Sequence, residues 1–220
     1  MFDELGASVV VNSSSTVEAG EQIAASLRDG FYVQSTVGSE QSARALIDAV
    51  VERFGGLDVL VNNAGTTAVI PHVDIEAAEL EVWRRIFEVN VFGTWAVTVA
   101  ASEALKKSRG SIVNVSSIAG LRPTGSSIPY ASSKAALNHM TVLLAKVLGP
   151  EIRVNAVAPG LVDTPWTADW DVIREFVKAA APLKRSATPE DVAEVIVDLA
   201  LSSFVTGQVV TVDGGLTLTT

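Results

Sequence analysis

The sequence predicts a doubly wound α/β fold, a mostly parallel sheet flanked by helices. Two observations carry that prediction. Strand and helix signals alternate along the chain at the spacing of βαβ units. The strand candidates Val9-Val10-Val11 and Asp58-Val59-Leu60-Val61 are apolar on both faces, as in a parallel sheet covered by helices on each side. No linker, repeat or low-complexity stretch interrupts the pattern, so residues 1–220 read as one domain.

In order, Ala7 to Asn12 reads as a buried strand that runs into a polar cluster. Val17 to Leu27 reads as a helix stopped by Asp29-Gly30, and Phe31 to Ser35 as the second strand. Ala43, Leu46, Ile47, Val50, Val51 and Phe54 recur at helical spacing across Glu40 to Phe54, and Gly55-Gly56 ends that helix. Leu57 to Val61 is the third strand, followed by one long helical stretch over about Ala77 to Lys107. Ser111 to Val115 is the fourth strand, Tyr130 to Leu148 a helix, and Ile152 to Val157 the fifth strand. Thr188 as N-cap and Pro189 in the first turn open a further helix. Val209 to Val212 is the last strand. In such a fold, ligands sit beyond the carboxyl ends of the strands.

Composition narrows the class. The apolar fraction is 48%, enough for a substantial core, and the charged fraction of 19% is ordinary for a globular chain. A net charge of −9 argues against nucleic acid or an anionic membrane as partner, since both reward clustered Lys and Arg. The absence of cysteine excludes disulfides, thiolate metal sites and thiol catalysis. Asp3 and Glu4 do not suit a signal peptide, and no apolar run reaches the roughly 18 residues of a membrane span, so a cytoplasmic protein is expected. His72 and His139 show no metal-ligand spacing.

One cluster suggests chemistry. Tyr130 and Lys134 are four apart on a helix and share a face. A phenol near pKa 10 needs roughly 4 kcal/mol of help to ionise near neutrality. One cation at about 4 Å, in an effective dielectric near 20, supplies about that much. Lys134 is placed to be that cation. Upstream, Ser117 follows the strand Ile112-Val113-Asn114-Val115, where a hydroxyl could polarise a carbonyl, although a loop or capping serine is the commoner use. Asn62-Asn63-Ala64-Gly65 follows another strand. Small residues there admit a ligand close to the backbone, and the Asn side chains could satisfy loop amides; a plain turn is the alternative.

These segments, together with Asn90, Pro159-Gly160-Leu161-Val162-Asp163-Thr164, Val205-Thr206-Gly207-Gln208 and Val212-Asp213-Gly214-Gly215, resemble the short-chain dehydrogenase/reductase family in order and spacing. The resemblance covers nearly the whole chain and is closest to the 3-oxoacyl-carrier-protein reductase-like branch. It implies a Rossmann-type oxidoreductase that moves a hydride between NADP(H) or NAD(H) and a ketone or secondary alcohol. Tyr130 would be general acid and base, Lys134 would lower its pKa and hold the nicotinamide ribose, and Ser117 would orient the substrate oxygen. Asn90 would anchor a water that links Lys134 to solvent. Asn63, Ala64 and Gly65 would line the adenosine side. Pro159, Gly160, Val162 and Thr164 would lie against the nicotinamide. The loop Pro165 to Trp170 and the residues after Gly120 would read the substrate, with Trp166 and Trp170 forming an apolar lid or packing into the core. The family also implies a homotetramer or homodimer built on the helices around Asn90 and Tyr130.

Three features depart from the family. The glycine-rich Thr-Gly-x-x-x-Gly-x-Gly turn is not in the sequence, where Gly6 is the only glycine before Gly20. By family length about 25 residues covering a first, central strand are missing, which leaves the Val9 and Leu57 strands without a neighbour. A misassigned start, a truncated version or a variant with weakened cofactor binding would each produce this. In the last case the chain would be a catalytically silent homologue or an oligomer subunit. The second strand ends in Asn12-Ser13-Ser14-Ser15 with no acid, which favours NADP over NAD. Thr36-Val37 stands where relatives often carry Asp-Val beside the adenine.

Overall fold

A computed structural model of the chain describes residues 1–219. The elements run β1 (Val9–Ser13), α1 (Val17–Ser26), β2 (Gly30–Gln34), α2 (Glu40–Phe54), β3 (Val59–Asn62), α3 (Leu80–Phe87), α4 (Thr94–Ser108), β4 (Ser111–Val115), α5 (Ile128–Leu148), β5 (Arg153–Pro159), α6 (Asp171–Ala180), α7 (Pro189–Leu201) and β6 (Val209–Val212). Strand pairing among the described residues is parallel throughout. The result is the Rossmann-type α/β fold that the sequence predicts.

The strands form two groups, β1-β2 and β3-β4-β5-β6. β1 pairs with β2 and β3 with β4, and no ladder joins β1 to β3. That agrees with the expectation of two strands that each lack one neighbour. It corrects the reading of β1 as fully buried. β4 and β5 are buried almost throughout, whereas β1 and the Val59–Val61 part of β3 are half-buried, because an open edge admits solvent along the strand.

Local signals explain most boundaries. Ser39 caps α2 by accepting from the Ser42 amide, and Gly55 closes it at φ +79°, a conformation that glycine adopts without strain. Thr188 and Asp191 form a reciprocal capping box ahead of Pro189 at the start of α7. Ser127 accepts from the Tyr130 amide and opens α5, which places Tyr130 in its first turn. The core between the sheet and α2, α4 and α5 is built from Ile47, Val97, Leu105, Ile112, Leu144 and Val154.

Two elements differ from the sequence reading. The stretch read as one helix is broken into α3, a π-helical segment Glu88–Gly93, and α4. Hydrophobic periodicity does not report such a break, which arises where a local contact outweighs regular helix bonding. α6 is an additional helix beyond the Pro165–Trp170 loop. No helix among the described residues is long and apolar enough to cross a membrane.

Candidate active site

The carboxyl ends of β3, β4 and β5 open onto a cavity of about 860 Å³. Ser117, Tyr130 and Lys134 line it together with Asn63, Gly65, Pro159, Gly160, Val162 and Thr164. The structure thus brings most of the residues singled out in the sequence to one place. Ser117 has two contacts that coexist. Its hydroxyl accepts the Ala119 amide at 3.1 Å as the cap of the turn Ile118–Gly120, and it also hydrogen-bonds the Tyr130 phenol. The capping role and the placement beside Tyr130 are therefore one arrangement.

That turn rests directly on α5. A Cβ on Gly120 would lie 2.6 Å from the Lys134 carbonyl carbon, so only glycine permits this approach. Ser116 Oγ donates to the Lys134 carbonyl at 3.3 Å, and Asn138 Nδ2 donates to the Gly120 carbonyl at 3.2 Å. Ser117 is in this way referenced to the helix that carries Tyr130 and Lys134.

Lys134 is almost wholly buried. Its ammonium donates to the Val115 carbonyl at 2.8 Å and lies 5.7 Å from the centre of the Tyr130 ring. Burial brings its pKa down to about 8. Burial also pushes the Tyr130 phenol up, and the Ser117 hydrogen bond offsets only part of that. This corrects the sequence argument, in which Lys134 pulls the phenol towards neutrality. The ammonium is drawn to a strand carbonyl that spacing along a helix cannot reveal, and Tyr130 rests as a neutral phenol.

Asn90, fully buried in the π-helical segment, clamps the loop after β3. Its Oδ1 accepts from the Thr66 amide at 2.8 Å, and its Nδ2 donates to the Thr66 carbonyl at 3.0 Å and to Ser133 Oγ at 2.9 Å. Ser133 then donates to the Tyr130 carbonyl at 2.7 Å. Gly65 is the residue between Asn90 and Lys134, since a Cβ there would stand 3.5 Å from Asn90 Oδ1 and 3.7 Å from Lys134 Nζ. The sequence named Asn90 but missed Thr66 and Ser133. Neither has a signal beyond its neighbourhood to Gly65 and Lys134.

Other sequence candidates lie elsewhere. Ala64 and Val37 border a small separate recess with Asn62, Gly93 and Thr94. Asn12 donates its side-chain amide to the Val33 and Ser35 carbonyls, and Ser13 Oγ pairs with the Tyr32 hydroxyl at 2.8 Å. Ser14 and Thr36 also stand outside the cavity lining. Asn62 does not satisfy loop amides as expected. Its buried amide donates to Asn114 Oδ1 and Thr98 Oγ1, because the ends of β3 and β4 lie side by side there. Of the residues expected to contact a dinucleotide, Tyr130, Lys134, Asn63, Gly65 and the wall from Pro159 to Thr164 line this cavity.

Trp166 and Trp170 both line the cavity, Trp166 55% exposed and Trp170 half-buried, so neither packs into the core. Arg174 fastens this segment. Its guanidinium donates to Asp163 at 2.8 Å, to Asp171 at 2.6 Å and to the Thr167 carbonyl at 3.0 Å, which ties α6 to the segment after β5. Arg174→Ala should raise the rate of tryptic cleavage after Lys178 about threefold or more, as local opening becomes easier. An unchanged rate would show that the clamp does not restrain α6.

The comparisons agree with this geometry. Residues 1–217 match the family model described as "Enoyl-(Acyl carrier protein) reductase". A protein of Streptomyces violaceoruber named as a ketoacyl reductase of the granaticin polyketide synthase is 55% identical over 96% of this chain and 86% of its own length. A crystal structure titled as a short-chain dehydrogenase/reductase from Burkholderia xenovorans superposes with TM-score 0.92 at 38% identity, covering 99% of this chain and 90% of the other. The structure titled "ElxO with NADP Bound" superposes with TM-score 0.89 at 29% identity, covering 99% and 91%. With the parallel sheet, the Ser117–Tyr130–Lys134 cluster and these similarities in agreement, the chain belongs to the short-chain dehydrogenase/reductase family of oxidoreductases.

Proposed function

We propose that the chain interconverts a ketone or 3-oxoacyl group and a secondary alcohol with NADP(H), using Tyr130 as proton donor in reduction and proton acceptor in oxidation. The observation that carries this reading is the convergence of Ser117, Tyr130 and Lys134 on one cavity with Asn63, Gly65 and the Pro159–Thr164 wall. The wall from Pro159 to Thr164 would hold a nicotinamide, whose chemistry would be hydride donation or acceptance. Every other task falls to side chains of the chain itself.

Ser117 orients the substrate oxygen and donates to it as negative charge develops. Tyr130 delivers the proton to that oxygen. Burial holds its phenol neutral, the state that reduction requires. Lys134 helps hold the ribose, and its positive charge favours the phenolate left after transfer. The first turn of α5 adds its partial positive charge in the same sense. Asn90 keeps Thr66 and Gly65 in place beside Lys134.

NADP is preferred over NAD in this reading because Asn12, Ser13 and Ser14 present no carboxylate that would repel a 2′-phosphate, and because a structural relative carries NADP in its title. NAD remains the alternative nucleotide. Exposed Phe92 in the π-helical segment and Trp95 and Val99 on α4, with Leu143 and Val147 on α5, support association into a homotetramer or homodimer through these helices. A cytoplasmic location belongs to the same reading, on the cysteine-free composition. Titrating the chain with NADPH and following nucleotide fluorescence tests the cofactor assignment. A dissociation constant in the micromolar range is expected, and no saturation up to about 1 mM would overturn it.

A further inference from the structure

The wall from Pro159 to Thr164 is assigned above to the nicotinamide. Beyond it the cavity continues into a compartment between α6 and the loop from Ile118 to Ser126. Trp166, Trp170, Ile173 and Phe176 line one side, while Ile118 and Leu216 line another. α6 divides its apolar residues between two tasks. Val177 and Ala181 pack with Ile118 and Leu216 in a small core, which fixes the helix on the body. Val172, Ile173 and Phe176 line the cavity and are 86%, 44% and 54% exposed, so they are not used for packing within the fold.

Charge is the second observation. Of the described residues that line the cavity, Lys134 alone is charged, and its ammonium already donates to the Val115 carbonyl. The cations of α6 do not line it and are neutralised beside it. Arg174 pairs with Asp163 and Asp171, and Lys178 pairs with Glu175 at 2.6 Å. Arg122, within the opposite loop, donates to the Leu121 carbonyl and does not line the cavity. The polar groups facing the compartment are hydroxyls, among them Thr67 and Ser126, which bond each other at 2.6 Å. An anionic substrate lying against this apolar surface would meet no cation among the lining residues other than Lys134, which is already bonded to a carbonyl. A neutral ring system would instead cover apolar surface that the fold leaves open.

We propose that this compartment selects a neutral, bulky and largely apolar ketone, with Trp166, Trp170, Ile173 and Phe176 as its specificity-determining residues. The proposal rests on the oxidoreductase reading of Tyr130 and goes beyond it by naming the substrate class. It separates this site from those built for carboxylated or sugar substrates, which need a cation or a dense set of polar partners.

The test has a binding arm and a turnover arm. In the first, 2-tetralone and 4-oxocyclohexanecarboxylate are titrated against the intrinsic tryptophan fluorescence of the whole chain. Tetralone is expected to quench it saturably, at least about 100-fold more tightly than the carboxylate; adding methylenes to the ketone should tighten binding by up to about fourfold each. Phe176→Ala should weaken tetralone binding about tenfold. Ile173→Lys, at an exposed position that tolerates a charge, should narrow the ratio between the two ligands at least tenfold by giving the carboxylate a partner. Equal affinity for both ligands, or a ratio untouched by Ile173→Lys, overturns the proposal. In the second arm, NADPH oxidation is followed with the same ketones. Selective binding without turnover sinks the oxidoreductase reading and leaves the compartment assignment standing. Turnover that favours the carboxylate does the reverse.

Discussion

Tyr130→Phe is expected to lower NADPH-coupled ketone reduction about a thousandfold while leaving the fold intact. The substitution removes one hydroxyl and keeps the ring, including its position 5.7 Å from the Lys134 ammonium. Tyr130 takes part in holding α5 through its backbone, by the amide bonded to Ser127 Oγ and the carbonyl bonded to Ser133 Oγ, and phenylalanine preserves both bonds. The melting temperature should therefore move by no more than about 2 °C. Ser117 loses a hydrogen-bond partner but retains the Ala119 amide, so its placement persists. Turnover equal to that of the parent enzyme would refute the assignment of Tyr130 as proton donor.

Lys134→Met is expected to act in opposite directions on activity and stability. Activity should fall at least about a hundredfold, because the charge beside Tyr130 disappears. Stability at pH 7 should rise. Burial brings the lysine from 10.5 to about 8 in the folded protein, which corresponds to about 3 kcal/mol of disfavoured charge. Leaving the Val115 carbonyl without its donor returns about 1 kcal/mol, for a net gain near 2 kcal/mol and a rise in melting temperature of about 4–8 °C. Methionine has the length and flexibility to fill the space. The dependence on pH follows from proton counts. Between about pH 8 and 10.5 the unfolded chain keeps the lysine proton that the folded chain has lost, so parent stability rises with pH across that window. The advantage of the variant should be complete below pH 8 and fade towards pH 10.5. A variant less stable than the parent at pH 7 would show that the buried ammonium is better compensated than its single carbonyl contact indicates.

The sequence made visible what is encoded by neighbours along the chain. Tyr130 and Lys134 declare themselves by helical spacing, and α2 and α7 by caps at Ser39, Gly55 and Thr188, since these are local chemistry. What stayed hidden depends on approach in space. Burial of the Tyr130 phenol reverses the expected direction of its shift, and the Lys134–Val115 bond joins residues on different elements. The Thr66–Asn90–Ser133 chain and the Asn62–Asn114 pair are likewise long-range, and amides and hydroxyls have too many ordinary uses for composition to single them out. α6 was hidden for another reason. Val172, Ile173, Phe176 and Val177 have helical spacing but serve a cavity and a core together, so the pattern does not show which face is meant to be covered.

The π-helical segment at Glu88–Gly93 has a consequence for how this protein can change. In an uninterrupted α-helix each residue advances the side chains by about 100°, so the phase of one end dictates the phase of the other. Here the register is reset at Asn90. Ile86 before the break and Ala101 and Leu105 after it are all fully buried. Asn90, whose side-chain amide holds Thr66, sits where the phase changes between α3 and α4. α4 can be retuned on its outer side, where Trp95 and Val99 lie, without rotating the residue that steadies the site. One stretch of helix therefore serves an outer surface and the site together, with the change of phase lying at the residue that holds Thr66.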